Sequence, residues 1–264
     1  MALLIASAVI GLLVGSALSS LIHRLLVGGS WMNGRSHCPR CEHVLLARDL
    51  VPLFSFIVLR GRCRHCRGAI GWFYPVIEGA TAVLFLGAVL SRAGGIPGPD
   101  VFLDRALQGA VLSDWAAITV LVAIFSTDAI ASVIPDILTL PAIPIFLLWR
   151  WWIGADFYNL VIAAAVGGGF FLAQYAVSRG RWIGSGDIRL GALMGVLLGW
   201  PGILIALFIS YLLGAVIALV MVARGSATWK SHIPFGTFLV LGTVAVLLFS
   251  NALLSWYGTY LAFG

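Results

Sequence analysis

Two kinds of side chain in this sequence are placed to do chemistry. The first kind is aspartate set against apolar sequence. Gly184-Ser185-Gly186-Asp187 opens the stretch Ile188 to Trp200, which is otherwise almost entirely apolar. A carboxylate at the depth of a membrane is costly, so its presence there points to function. Asp187, Gly191, Gly195 and Gly199 are spaced at i, i+4, i+8 and i+12, which puts them on one helical face. A glycine face lets another helix approach closely. The plainer reading of Asp187 is a helix-capping aspartate at a glycine turn. A second carboxylate, Asp128, ends the apolar run 109–127 in the same manner and favours function. Asp136, eight residues on and preceded by Pro135, reads as a cap for the next helix.

The glycine face below Asp187 is expected to let the two aspartate-bearing helices meet. If the two carboxylates then lie about 3 Å apart, both cannot ionise comfortably and they share a proton. The ionised one can then take a proton from water while the protonated one polarises a peptide carbonyl, as in aspartic proteases. Paired acids in a membrane also suit an ion or metal transporter, although these sit nearer the midplane and often carry inverted repeats, which are not apparent here.

The second kind is cysteine. All four lie between 23 and 73, as Cys38-Pro39-Arg40-Cys41 and Cys63-Arg64-His65-Cys66. Two CxxC pairs at this separation fit a tetrahedral four-thiolate zinc site that cross-links a segment too small to form its own core. A reducing compartment disfavours disulfides, and the duplicated pair with no βαβ pattern disfavours a redox motif. His37, His43 and His65 are alternatives for one ligand position and are otherwise expected as solvated loop residues.

The elements that must position these groups are membrane helices. The 264 residues are 61% hydrophobic and 10% charged, with a mean hydropathy of +1.05, far below the ~25% charged of soluble domains. Apolar stretches at 2–22, 74–92, 109–127, 137–153, 157–177, 187–200, 202–223 and 238–261 predict an all-α bundle of about eight transmembrane helices. The sixth is short and is expected to be tilted or joined to its neighbour. Gly11, Gly15 and Ser19 form a packing face on the first span, and Gly167, Gly168 and Gly169 read as close helix packing. The expected division is a first span at 1–22, a zinc-binding segment at 23–73 and a bundle at 74–264. Glu78, one turn into the second span, is expected to partner a loop arginine. Lys230 and His232 belong to a loop on the same side as both aspartates.

The net charge of +6 does not indicate nucleic acid, because of where the charge lies. With the N-terminus outside, thirteen of the sixteen basic residues fall on the cytoplasmic side, as the positive-inside rule requires. The bilayer is therefore the expected partner, and the zinc segment and both aspartates face the cytoplasm.

These residues together resemble the type IV prepilin peptidases, bacterial members of the GxGD aspartyl proteases. The resemblance covers nearly the whole chain. It runs through Gly15-Ser16-Ala17-Leu18, His23-Arg24-Leu25, the two cysteine pairs, Asp49-Leu50-Val51-Pro52-Leu53, Leu59-Arg60-Gly61-Arg62-Cys63, Tyr74-Pro75-Val76-Ile77-Glu78, Asp128, Pro135-Asp136, Leu138-Thr139-Leu140-Pro141 and the GxGD motif. It implies that Asp128 and Asp187 are catalytic and that the basic leader of prepilins or pseudopilins is cleaved at the cytoplasmic face of the inner membrane. It further implies N-methylation of the new N-terminus with S-adenosylmethionine. The alternatives are a related GxGD intramembrane protease with another membrane substrate, or a carboxylate-lined transporter. Three positions depart from the family pattern: Ile130 replaces a frequent acid, Arg189 a usual lysine and Thr237 a frequent proline.

Overall fold

The computed structural model describes residues 2–27, 36–95, 104–226 and 233–262, with side chains described through Phe249. Lys230 and His232 lie outside the described residues. Eight long helices follow the eight apolar stretches: α1 (Ala2–Val27), α3 (Phe73–Ala93), α4 (Arg105–Ala131), α5 (Asp136–Trp152), α6 (Phe157–Ser178), α7 (Ser185–Leu198), α8 (Gly202–Ala223) and α9 (Phe235–Ala262). A one-turn helix, α2 (Phe54–Val58), interrupts the cysteine segment. Among the described residues there is no strand beyond two isolated bridges. The all-α expectation holds.

Five helices, α1, α3, α4, α6 and α8, are long and apolar enough to cross a membrane. Of the others, α5 has 17 residues, and α9 counts as a shorter apolar helix over its described side chains, Phe235–Phe249. At 14 residues, α7 spans about 21 Å against a hydrocarbon layer of about 30 Å. Its ends are set by the chain itself. Gly199, with φ 66°, stops it, and Arg150 at the end of α5 donates to the Leu197 carbonyl in its last turn. The last carbonyls of a helix have no partner within it. Gly199 therefore ends the glycine face instead of extending it.

The chain forms two compact units, Met1–Asp100 and Val101–Gly264. In the first, α1 and α3 pack antiparallel through the predicted small-residue face. A Cβ on Gly11 would lie 2.6 Å from Ala82 Cα, and one on Gly15 would lie 2.7 Å from Glu78 Cα. Nothing larger than glycine fits at this separation.

In the second unit the glycine face of α7 meets α6. A Cβ on Gly191 would be 2.6 Å from the Gly167 carbonyl oxygen, and one on Gly195 would be 2.2 Å from that of Ala163. Gly167 and Gly168 supply the reciprocal contacts, whereas Gly169 faces open space. The expectation that this face would let the two aspartate-bearing helices meet is thus corrected. Its role is to fuse α7 to α6. Around this pair, α5 and α9 pack on α7, α9 packs on α8, and α4 packs on α9.

Candidate active site and cysteine centre

Asp128, expected at the end of its span, lies within the last turn of α4. Ser132, in the left-handed conformation, closes that turn by donating its N–H to the Asp128 carbonyl. The Asp128 side chain is 4% exposed. Its Oδ2 accepts the Thr237 N–H at 2.7 Å, one of the amides left without an intrahelical partner at the start of α9. Proline, the residue that the resemblance expects at 237, has no N–H to give. Gly236 makes this contact feasible, since a Cβ there would fall 2.8 Å from Asp128 Oδ2.

Asp187 sits in the first turn of α7 and is 8% exposed. Its Oδ2 accepts the Gly184 N–H at 3.0 Å, so the capping reading holds alongside any catalytic one. Gly186 owes its identity to the chain linking α4 to α5: a Cβ there would lie 2.9 Å from Ile134 Cβ. The same isoleucine presses on Gly236, where a Cβ would be 3.0 Å from its Cδ1. Ile134 is therefore in contact with the glycine beside each aspartate segment. Asp128, Asp187 and Asp136 all line one cavity of about 790 Å³.

Asp136 starts α5, as expected, but its carboxylate is not used as a cap. It forms a two-pronged ion pair with Arg189, at 2.5 Å and 3.1 Å. This geometry uses the arginine fork, which a lysine lacks. The Asp136 side chain is 59% exposed, unlike the two buried aspartates.

Two polar residues on this cavity wall were passed over in the sequence. Tyr211 Oη lies 3.0 Å from Gln174 Nε2 and 3.1 Å from its Oε1. Both stand out as polar groups inside apolar spans, which is the signal that would have found them. Asp114, fully buried in α4, is a third group of this kind, but it does not line this cavity.

In the first unit the two CxxC pairs build the same small loop twice. Cys38 N–H donates to His43 C=O and Glu42 N–H to Cys38 C=O. Cys63 N–H likewise donates to Gly68 C=O and Arg67 N–H to Cys63 C=O. Glu42 and Arg67 hold equivalent left-handed positions, each with φ 55°. The four Sγ atoms lie within 4.8 Å of one another. The Cys38–Cys66 separation of 3.9 Å matches the ~3.8 Å edge of a tetrahedron with ~2.3 Å metal–sulfur bonds. The cluster can hold a metal ion.

Burial resists ionisation of Cys38, but the Arg40 and Cys41 N–H groups and the neighbouring thiols draw its pKa down to about 7. The His43 amide favours the Cys41 thiolate, yet desolvation and the Cys38 and Cys66 sulfurs push Cys41 up to about 11. The histidines are not ligands in this arrangement. His43 and His65 instead pack ring on ring across the two loops, with centroids 4.0 Å apart.

A salt bridge of 2.7 Å from Arg64 to Asp49 ties the second loop to the turn after the first. Arg64 holds the Asp49 carboxyl below the usual carboxylate range. The expected arginine partner of Glu78 is replaced by a backbone group, because Glu78 Oε2 accepts the Leu53 N–H at 2.8 Å.

Comparison with known proteins places the chain. The family described as "Bacterial Peptidase A24 N-terminal domain" matches residues 9–92, and "Type IV leader peptidase family" matches residues 115–219. A "Prepilin leader peptidase/N-methyltransferase" of Burkholderia pseudomallei is 34% identical, over 92% of this chain and 84% of its own. Proteins of the same name from Aeromonas salmonicida and Bacillus subtilis are 30% and 28% identical. These matches cover 93% and 94% of this chain, and 90% and 95% of theirs. No solved structure matches. With full-length similarity at this level and both domains matched in order, the chain belongs to the type IV leader peptidase family.

Proposed function

We propose that this multi-pass membrane protein cleaves the leader from prepilins or pseudopilins with Asp128 and Asp187 as its catalytic pair. It then methylates the new N-terminus. The observation that carries the peptidase reading is one cavity in which the two buried aspartates, from α4 and α7, both line the wall. The ionised carboxylate takes a proton from a water, and the water attacks the scissile carbonyl while the protonated carboxylic acid donates a hydrogen bond to the carbonyl oxygen. Collapse of the tetrahedral intermediate breaks the C–N bond, and a carboxyl proton passes to the leaving amine. No covalent intermediate forms.

A transporter has less support. Asp128 and Asp187 sit at helix ends, in the last turn of α4 and the first turn of α7, not near the middle of a span. The test is incubation of the purified protein with a prepilin in detergent, followed by sequencing of the product's N-terminus. A new N-terminus at the leader junction is expected. Intact prepilin together with ion flux into liposomes would favour the transporter.

S-adenosylmethionine would supply the methyl group. The cavity that suits it lies in the first unit, measures about 490 Å³ and includes Glu78 in its lining. Glu78 is a buried carboxylate able to accept from an ammonium group. The orientation read from the basic residues puts the cysteine segment and both aspartates on the cytoplasmic side.

Zinc is the metal that we assign to Cys38, Cys41, Cys63 and Cys66, because four thiolates at tetrahedral spacing complete a closed structural site. Protein purified without chelator should contain about one zinc per chain. Replacing both Cys38 and Cys41 with serine should reduce this to none and make residues 36–70 sensitive to limited proteolysis. Metal analysis that finds no zinc in the unsubstituted protein would refute the assignment.

A further inference from the structure

Outside the long helices, the cysteine segment exposes apolar side chains on one side of α2. Phe54 is 65% exposed and Ile57 71%, with Val58 beside them. The other side of α2, at Ser55, Phe56 and Leu59, lines the 490 Å³ cavity.

The depth of α2 can be measured against two spans. Its N-cap, Leu53, donates its N–H to Glu78. Glu78 lies five residues into α3, about 7–8 Å along the axis. The second ruler is α1, whose Gly15 abuts the Glu78 backbone. From there α1 continues in the same direction for eight residues before His23 and Arg24, its first charge, a rise of about 12 Å. With both helices taken as membrane spans, each ruler puts Glu78 inside the hydrocarbon layer. Helical side chains lean toward the N-terminus, which recovers only part of that depth, so the Leu53 amide is held inside the layer as well.

Two further observations agree. Much of the segment's backbone is paired within it, as hydrocarbon demands: the N–H groups of Ser55, Ile57, Leu59, Arg60 and Gly61 all donate to carbonyls within 51–57. An apolar stripe also runs along α3. Trp72, Val76, Val83 and Leu90 are all exposed, at steps of four, seven and seven residues, which is one helical face. Trp72, 73% exposed, holds the Phe56 ring at 5.1 Å.

We propose that α2 is embedded in the bilayer, with Phe54, Ile57 and Val58 against acyl chains and Ser55, Phe56 and Leu59 against the cavity. The helix is a thin wall between lipid and that cavity. This holds whichever face of the membrane the cysteine segment occupies.

The test places a benzophenone amino acid at position 57, at 83 on the α3 stripe, and at 67 on the second cysteine loop. The full chain is reconstituted in vesicles of phosphatidylethanolamine and phosphatidylglycerol, irradiated, and its adducts weighed. Lipid adducts are expected at 57 and 83 and not at 67. A lipid adduct at 83 with none at 57, or a cross-link from 57 into residues 101–264, would overturn the proposal. Hydroxyl-radical labelling of the unsubstituted protein in the same vesicles covers the case in which the position-57 variant does not fold. Phe54 and Trp72 should be protected to the level of Val83, and oxidation of both to the level of the cysteine loops would overturn it.

Discussion

Asp128→Asn and Asp187→Asn should each abolish leader cleavage while leaving the helices and the metal in place. Asparagine keeps the size of aspartate but cannot take a proton from water or return one to the leaving amine. A single loss is expected to cost about 10²-fold or more in kcat. The double variant should be no worse than either single one, because the two carboxylates act as a unit.

Asn at either position still accepts the Thr237 or Gly184 N–H through its amide oxygen, so stability should change by less than about 1 kcal/mol. The pH–rate profile should report a coupled pair of macroscopic pKa values and not one isolated carboxyl group. Asp136→Asn is the control. It lines the same cavity but is largely exposed and paired with Arg189, and removing a half-exposed ion pair costs about 1 kcal/mol or less. Cleavage by it should fall only a few-fold. Inactivity of Asp136→Asn with full activity of Asp128→Asn would move the dyad to Asp136 and leave the enzyme class standing. Full cleavage by both Asp128→Asn and Asp187→Asn would end the aspartyl-protease reading.

Gly195→Ala should be the most damaging glycine-to-alanine change among the described residues. Its Cβ would meet Ala163 O at 2.2 Å, Ala163 C at 2.3 Å and Ala164 N at 2.4 Å. All three atoms are backbone, so no side chain can turn away, and α7 must separate from α6. Overpacking of this kind costs about 1–3 kcal/mol, and more where nothing can yield. Because α7 carries Asp187, cleavage should fall with stability.

Gly169→Ala is the matched control. A Cβ there meets nothing within 4 Å, and alanine is the better helix former by about 1 kcal/mol. The melting temperature in detergent should therefore drop for Gly195→Ala and hold or rise for Gly169→Ala. Equal melting temperatures for the two variants would mean that α6 and α7 are not in backbone contact.

Much of this protein is legible in its sequence for a definite reason. Membrane helices reveal themselves through length and apolarity, because lipid leaves the backbone no partner but itself. Eight apolar stretches therefore became eight long helices, with ends shifted by a few residues. Spacing was equally informative for the cysteines, since a CxxC pair is a local unit and its loop forms the same way twice. Buried charge singled out Asp128 and Asp187, because an acid in apolar sequence is rare without a purpose.

Tertiary structure decided what depends on a partner far away in the chain. A glycine face says that a helix comes close but not which one, and α6 was chosen over the helix bearing Asp128. The same limit hid the pairing of Asp136 with Arg189, 53 residues on, and that of Asp128 with the Thr237 amide, 109 residues on. Helical periodicity assigns a residue to a face and carries no information about the neighbour across it. That is why Glu78, read as a partner for an arginine, bonds instead to the backbone of Leu53. Five residues of α2 are too few to show a period, so only the folded chain reveals that one of its sides meets the cavity and the other is turned away from it.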